Sequence, residues 1–128
     1  RVCLESINSG IINSAHDISD GGLSVNIAES VIASKGELGA HINIESRLNE
    51  HEILFGECAS IIIVTLNSND LAKLILLSKK YNVITSSIGY VSNDSKLIIN
   101  DSINLSKNKI SDSFNNSLEK LMSSENNE

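Results

Sequence analysis

The spacing of apolar residues in the first quarter of the chain predicts a strand between two helices. A stripe of apolar side chains at helical spacing indicates a short helix within residues 1–12. Residues 14–19 favour a strand, which ends in a tight turn at Asp20, Gly21 and Gly22. After this turn, helical spacing resumes at Leu23, Ile27, Ala28, Val31 and Ile32. The pattern therefore predicts helix, strand, tight turn and helix.

The middle of the chain predicts two further strands and a longer helix. Apolar and polar residues alternate over residues 40–44, as they do in a half-buried strand. Residues 52–58 favour a brief helical turn or loop. The uninterrupted apolar run at residues 61–64 is typical of a strand covered on both faces, which makes it the best candidate for the central strand. A helix with one apolar side is predicted over residues 71–81.

The last third of the chain predicts a hairpin followed by a helix. Residues 83–91 and 96–100 are rich in β-forming side chains. Residues 92–95 join them with polar residues of the type found in hairpin turns, so we expect the two segments to pair. The final amphipathic helix is expected to begin at Ser111 or Asp112.

This order of elements predicts an α/β fold in which helices cover a mixed sheet. No internal repeat and no linker-like stretch divides the sequence, so we expect one domain over residues 1–128, with residues 123–128 as a frayed tail. The chain opens at Arg1 and not at a methionine. We therefore expect a fragment of a longer protein.

Composition narrows the class of protein. The 128 residues carry 10 basic and 16 acidic side chains, a net charge of −6, which disfavours a nucleic-acid surface because phosphate binding needs clustered Lys and Arg. No apolar run approaches the ~20 residues of a membrane helix. The only cysteines, Cys3 and Cys58, lack the spacing of a disulfide framework or a zinc site. We expect a cytoplasmic protein with neither a nucleic-acid nor a membrane partner.

The densest group of chemically useful residues lies at the predicted strand-to-helix turn, residues 14–23. It combines one imidazole, two carboxylates, two hydroxyls and two glycines. Gly21 and Gly22 let a ligand approach the backbone closely, and free amides at a helix N-terminus favour a phosphate group. The alternative is that Ser19 or Asp20 only caps the helix and satisfies those amides.

The carboxylates and the imidazole of this turn each allow more than one interpretation of their role. Asp17 and Asp20 offer the carboxylate oxygens that Mg²⁺ prefers, but the same spacing suits two separate backbone hydrogen bonds within a turn, so no metal ligand is assigned. His16 lies on the opposite face of the predicted strand from Asp17, where it either faces a ligand, supports the site from behind or fills the core. His41 and His51 have no supporting neighbours and are read as surface residues.

A second candidate group lies at residues 54–60. Gly56 frees the backbone, and Glu57 stands just before the apolar run. A carboxylate at the entrance of a strand bonds a ribose or amide group of a ligand, or else it ties down a loop of the protein. Cys58 is interpreted as structural and not as a nucleophile, because its neighbours are apolar or acidic and no His is near in sequence.

Four segments occur in the order found in phosphoribosylformylglycinamidine synthases. They are Ser14-Ala15-His16-Asp17-Ile18-Ser19-Asp20-Gly21-Gly22-Leu23, Leu38-Gly39-Ala40, Leu54-Phe55-Gly56-Glu57 and Ile88-Gly89-Tyr90-Val91. Over about residues 14–122 the chain resembles the final domain of that family, which is its second copy of the AIR-synthase C-terminal module.

The resemblance implies a fold and a reaction. The fold is a layered α/β/α arrangement with a mixed sheet and partial ferredoxin-like topology. In the family, ATP phosphorylates the formamide oxygen of formylglycinamide ribonucleotide, and ammonia from a glutaminase displaces phosphate to give the amidine. ATP and Mg²⁺ would serve the parent enzyme, whose catalytic His and main ligands lie in domains absent from this chain. No catalytic residue and no tightly bound cofactor is therefore expected here.

The resemblance also implies a set of site residues. The turn that matches the family's cleft-facing loop contains Asp17, Ser19, Asp20, Gly21 and Gly22. Glu57 matches a carboxylate that helps to bind the ribonucleotide in the family's first-half module. This copy departs from that motif, because it reads Glu57-Cys58-Ala59 where the first-half module reads Glu-Ser-Gln. The family pattern thus implies a supporting site, with His16 behind it.

Further implications of the resemblance concern partners. They are the preceding domains of the same chain, a glutaminase domain or subunit, and a small accessory subunit. Whether the parent is a long single chain or a shorter one that recruits separate subunits stays open.

Two other readings remain. Thiamine-monophosphate kinase, selenophosphate-forming and hydrogenase-maturation relatives share the superfamily, and the kinase loop also begins Asp-Ile-Ser-Asp-Gly. The kinase differs later, because its acidic motif is Gly-Glu-Asp-Tyr where this chain has Gly56-Glu57-Cys58-Ala59. The second reading is a non-catalytic scaffold domain that completes the core of a larger chain.

Overall fold

The computed structural model describes residues 1–46, 48–57 and 60–124. These residues form two compact units. The first contains Arg1–Asn26 and the described residues of Leu48–Ile88, and the second contains the described residues of Ile27–Arg47 and Gly89–Glu128. Cys58, which the sequence indicates to be structural, lies outside the described residues, as do residues 125–128 of the predicted tail.

The first unit contains short helices and a pair of strands. Its elements are α1 (Val2–Asn8), β1 (Ile12–Asp17), the first turn of α2 (Gly22–Ala33), α3 (Glu50–Phe55), β3 (Ile62–Leu66), a 3-10 turn (Ser68–Asp70) and α4 (Leu71–Lys80). Its buried apolar side chains are Ile11, Ile18, Leu23, Leu54 and Leu74. They come from both strand ends and helices, so the local elements are held by a shared core.

Strands β1 and β3 run antiparallel, with His16 opposite Ile63 and Asp17 opposite Ile62. The expectation that residues 61–64 form a central strand covered on both faces is wrong. Among the described residues β3 pairs with β1 alone, and the side chains of Ile61 and Ile62 are 46% and 48% exposed. A continuous apolar run does not by itself distinguish a buried central strand from a strand with one open face.

Residues 83–88 are irregular, although their sequence favours a strand. The Val83 N–H donates to the Ser78 carbonyl (2.9 Å), and the Thr85 hydroxyl donates to the Ser78 hydroxyl (2.7 Å). These bonds tie the segment to the end of α4, and the first uses a backbone N–H that a strand partner would need. The predicted strand at residues 83–91 is therefore correct only for its last part.

Helices α1 and α4 are joined by a charged clasp. The Tyr81 hydroxyl and the Lys80 ammonium, the latter at 3.4 Å, both donate to the Glu5 carboxylate. The hydrogen bond from Tyr81, followed by the bond and charge of Lys80, lowers the pKa of Glu5. Glu5 lies near the start of α1, and Tyr81 follows α4 directly, so the clasp joins elements far apart in sequence.

The second unit is built on a mixed sheet. Besides the rest of α2, it contains β2 (Gly39–Ile42), β4 (Gly89–Ser92), β5 (Lys96–Ile99), β6 (Ile103–Ser106) and α5 (Lys107–Ser124). The strand order is β4-β2-β5-β6, with β2 and β5 parallel and the other neighbours antiparallel. The prediction of an α/β fold with a mixed sheet is confirmed.

The predicted hairpin is wrong, because β2 lies between β4 and β5. Residues 93–95 instead pass over the start of β2 at Gly39. A Cβ at Gly39 would lie 2.3 Å from the Lys96 carbonyl oxygen, and a Cβ at Gly89 would lie 2.0 Å from the His41 carbonyl oxygen. Both contacts are too close for any side chain, so the two glycines permit β2 to insert between the two segments.

The hairpin partner of β5 is β6, a strand that the apolar pattern does not predict. Helix α5 then begins at Lys107 and not at Ser111 or Asp112. The Lys107 ammonium donates to the carbonyls of Ser34 (2.7 Å) and Gly36 (3.1 Å), just after the end of α2. This contact between distant segments fixes the start of α5, which explains why local capping signals place it too late.

Asp94 organises the connection over β2. Its Oδ1 accepts from the Ser92 hydroxyl (2.6 Å) and the Lys96 N–H (3.2 Å), and its Oδ2 lies 2.7 Å from His41 Nε2. The hydrogen bond from Ser92, followed by that from His41, lowers the pKa of Asp94 to about 2. The Tyr90 hydroxyl lies 3.1 Å from the other ring nitrogen of His41, so the imidazole bridges two residues of the unit.

Because the folded-state pKa of Asp94 lies below its ordinary value of 3.8, ionised Asp94 stabilises the fold above about pH 4, and this contribution is lost as the pH falls towards about 2. We predict that Asp94→Asn lowers the melting temperature at neutral pH by about 2–5 °C. The difference from the unmodified chain should narrow between pH 4 and pH 2. Circular dichroism melts measure both effects.

The exposed residue Asp101, in the connection between β5 and β6, supplies the matched control. Asp101→Asn should leave the melting temperature within about 1 °C at each pH, because substitutions of exposed residues without partners change stability little. A loss at Asp94→Asn that is the same at every pH would contradict the assigned role of the ionised carboxylate.

In the described part of the chain, no helix has the length and apolar character needed to cross a membrane.

Candidate functional site

The candidate site is the turn between β1 and α2. Strand β1 ends at Asp17, and the Ile18 N–H donates to the Ile61 carbonyl (2.9 Å) while the Ile18 side chain is buried. The chain then reverses through Gly21 and Gly22, whose φ angles are +79° and +72°. Side chains other than glycine rarely adopt this conformation, so the double glycine is required by the backbone path.

Gly22 also lies directly against the end of α3. A Cβ at this position would lie 2.6 Å from the Phe55 carbonyl carbon and 3.0 Å from the Gly56 carbonyl oxygen. Both neighbours are backbone atoms, which cannot move aside as a flexible side chain does. The turn therefore depends on glycine twice, for its φ angle and for the close approach of α3.

Glu57 joins the two groups of residues that the sequence singles out. The Gly21 N–H donates to Glu57 Oε1 at 3.2 Å, and the Gly22 N–H donates to the Ser19 carbonyl at 3.1 Å. Both glycine amides that were candidates for a phosphate group are thus bonded within the protein. The Glu57 carboxylate thus lies beside the Gly21 amide, in the place where the phosphate group of a ligand was expected.

A buried hydrogen bond strengthens the same contact between α2 and α3. The Ser24 hydroxyl donates to the Leu54 carbonyl at 2.9 Å, and both residues are buried. A buried carbonyl that loses its donor costs about 1–3 kcal/mol. Ser24 therefore holds the end of α3 against the turn from inside the core, while Glu57 holds it from the surface.

The remaining polar residues of the turn face solvent. Asp17, Ser19 and Asp20 are exposed, and within the described residues their side chains form no hydrogen bond or ion pair. Neither Ser19 nor Asp20 thus provides the predicted side-chain cap of α2 in the part of the chain that the structure describes. Their oxygens stay available to a ligand or to another part of a longer protein.

His16 lies behind the turn, where it meets a residue that the sequence analysis missed. Its Nδ1 is 2.6 Å from Asn26 Nδ2 and 2.9 Å from the Asp17 carbonyl oxygen. Asn26 also donates to that carbonyl and is only 2% exposed. The available signal was a single amide between the apolar residues Leu23 and Ile27 of α2. An interior amide in such a helix requires a hydrogen-bond partner.

Two other histidines lie outside this group. His51 is exposed on α3, which agrees with its interpretation as a surface residue. His41 is half-buried in the second unit and bonds to Asp94, so it is not the isolated surface residue that the sequence indicates. Its partner Asp94 is 53 positions away in sequence, and only the strand order brings the two together.

The side chains of the described residues form no metal site by themselves. Among residues 1–46, 48–57 and 60–124, no group of three or more His, Cys, Asp or Glu side chains is arranged to hold a metal ion. Asp17 and Asp20 thus do not form part of such a group. By themselves, the described residues form no such cluster for a Mg²⁺ ion.

Residues 1–102 match the family model described as "AIR synthase related protein, C-terminal domain". The chain belongs to this family. The matched region contains the turn of residues 17–22, Glu57 and Asn26, together with strands β1 to β5.

Curated relatives of this AIR-synthase-related chain are named "phosphoribosylformylglycinamidine synthase subunit PurL". The relative from Carboxydothermus hydrogenoformans is 37% identical over 90 residues, which is 70% of this chain and 12% of the relative. The relative from Bartonella bacilliformis is 41% identical over 101 residues, which is 78% of this chain and 13% of the relative. The chain therefore spans about an eighth of the length of these proteins.

Solved structures show the same fold. PurLQS from Thermotoga maritima matches with a TM-score of 0.72 and 21% identity, covering 83% of this chain and 20% of that one. T. maritima PurL complexed with FGAR matches with a TM-score of 0.72 and 18% identity, covering 85% and 19%. The AIR-synthase C-terminal fold predicted from the sequence is confirmed.

Gly22 has a positive φ angle and lies too close to α3 for a Cβ, so we predict a large loss of stability for Gly22→Ala. The positive φ alone costs about 1 kcal/mol in a residue with a Cβ, and the overlap with the backbone of α3 adds about 1–3 kcal/mol. We expect Gly22→Ala to lower the free energy of unfolding by about 2–4 kcal/mol in urea titrations.

Gly10→Ala separates the two costs. Gly10 has a similar φ of +65°, but a Cβ there would meet no atom within 4 Å. This variant should lose only about 1 kcal/mol. Equal losses for Gly10→Ala and Gly22→Ala would show that the contact with α3 contributes nothing.

Proposed function

We propose that this chain is a domain of a phosphoribosylformylglycinamidine synthase in purine biosynthesis. The parent would convert formylglycinamide ribonucleotide, ATP and glutamine-derived ammonia to the amidine, ADP and phosphate. The observation that carries the proposal is the 37–41% identity to PurL subunits over 70–78% of the chain. The fold supports it, because the matching T. maritima PurL structures include complexes with ATP and with FGAR.

Within that parent, we assign this chain a supporting role at the wall of a ligand cleft. The Glu57 carboxylate is bonded to the Gly21 amide, so it orders the turn and does not leave a vacant phosphate cradle. Asp17, Ser19 and Asp20 present exposed oxygens on this ordered turn. Such groups position a ligand, and positioning provides much of the catalysis in phosphoryl transfer.

The phosphoryl-transfer groups would come from the rest of the parent. ATP and Mg²⁺ would serve the whole enzyme. The expected partners are the preceding domains, a glutaminase and a small accessory subunit. A cytoplasmic location follows from the proposed role in purine biosynthesis.

Substrate choice tests the parent activity. With Mg²⁺, ATP and ammonium, we expect the full-length protein to release ADP with formylglycinamide ribonucleotide and not with thiamine monophosphate. The comparison separates an amidine-forming enzyme from the kinase of the same superfamily. ADP release with thiamine monophosphate would refute the proposed reaction, and so would the absence of ADP release with both substrates.

Asp20 tests whether the turn contacts a ligand. The side chain is exposed and has no partner among the described residues, so Asp20→Ala in the full-length protein should leave the melting temperature within about 1 °C. We expect KM for the ribonucleotide to rise about 3- to 10-fold, which is the effect of losing one ordinary hydrogen bond.

Glu119→Ala, on the exposed surface of α5, is the matched control and should change neither KM nor stability. If Asp20→Ala behaves like Glu119→Ala, the domain acts as a scaffold without a role at the ligand.

A further inference from the structure

Asn26 is the most deeply buried amide near the candidate site. It is 2% exposed and lies on α2 between Leu23 and Ile27, which are themselves buried. An amide side chain in an apolar environment costs about 1–3 kcal/mol unless it is hydrogen-bonded, and alanine is the better helix former. Burial and helix propensity thus both oppose Asn at this position, so its hydrogen bonds must account for it.

Those hydrogen bonds lead to the end of β1. Asn26 follows Gly22 by four positions, which places both on the same side of α2. From there Asn26 Nδ2 donates to the Asp17 carbonyl and lies 2.6 Å from His16 Nδ1. One side chain therefore holds the last two residues of β1, directly before the turn that carries the candidate site.

The same contact selects a tautomer of His16. An amide nitrogen is a donor only, so a ring nitrogen that accepts from it must carry no hydrogen. In neutral His16 the hydrogen is then on Nε2. The competing arrangement would place the hydrogen on Nδ1 and donate it to the Asp17 carbonyl, 2.9 Å away. That arrangement would set two donors, His16 Nδ1–H and Asn26 Nδ2, only 2.6 Å apart, which is unfavourable.

We infer that Asn26 is a positioning residue that holds His16 in the Nε2–H tautomer, fixes the end of β1 and so orients the turn at residues 17–22 toward the ligand. The inference about the ligand rests on the proposed function. The inference about the tautomer does not, since it follows from the contacts of Asn26 alone.

The tautomer is measured directly by nuclear magnetic resonance of the full-length protein labelled with ¹⁵N-histidine. His16→Gln identifies the His16 signals by their disappearance. We expect a hydrogen-bearing Nε2 and a hydrogen-free Nδ1 in the unmodified protein. A hydrogen on Nδ1 would overturn the inference, and this measurement needs no variant of Asn26 that might fold poorly.

The variant Asn26→Asp tests whether Asn26 is the cause of the Nε2–H tautomer of His16. An ionised carboxylate of similar shape can only accept hydrogen bonds, so it should transfer the hydrogen to His16 Nδ1. Asn108→Asp, on the exposed surface of α5, is the matched control and should leave the His16 signals unchanged. An unchanged tautomer in Asn26→Asp would also overturn the inference.

Steady-state kinetics test whether the contact between Asn26 and His16 affects binding of the ligand. We expect Asn26→Asp to raise KM for formylglycinamide ribonucleotide by about 3- to 10-fold, with kcat changed less than about twofold, because a displaced turn weakens binding more than chemistry. A purely structural role would instead lower the amount of active enzyme and leave KM unchanged, which would refute positioning. If the full-length protein has no ribonucleotide-dependent activity, the proposed function fails while the tautomer result stands.

Discussion

The close approach of two backbone segments, Gly22 and the end of α3, is the constraint on which the candidate site depends. No side chain fits between Gly22 and the carbonyl carbon of Phe55, because a Cβ would lie 2.6 Å from that atom. Backbone atoms in such contact cannot adjust independently, so the turn moves only with α3. The polar contacts of the site, from Ser24 to Leu54 and from Gly21 to Glu57, form because this approach brings the donors within reach of the acceptors.

This constraint gives the polar residues in and around the turn different roles. Glu57 and Asn26 bond to other parts of the protein, Glu57 to the Gly21 amide at the surface and Asn26 to the end of β1 in the interior, and so define the backbone path. Asp17 and Asp20 point their carboxylates to solvent from that path. A rigid turn with exposed oxygens is suited to positioning a ligand held mainly by other domains. It is less suited to chemistry of its own, which agrees with a supporting role in a longer enzyme.

Local sequence signals predicted those parts of the structure that depend on residues close together in sequence. The turn at Gly21 and Gly22 requires positive φ angles, and two adjacent glycines in the sequence indicate that requirement. Strand pairing is different, since it depends on contacts between distant segments. The insertion of β2 between β4 and β5 relies on close approaches at Gly39 and Gly89, which the pattern of apolar residues does not indicate. Asn26 was missed for the same reason, because its partners lie at the end of another element.

Amide hydrogen exchange at Gly21 and Gly22 in the full-length protein tests the central claim most directly. Both N–H groups donate within the protein, to Glu57 and to the Ser19 carbonyl, although the turn lies near the surface. The account predicts exchange at least about tenfold slower than in an unprotected chain, for both amides and without added ligand. Exchange at the unprotected rate would show that contact with α3 does not hold the turn, and it would contradict the account.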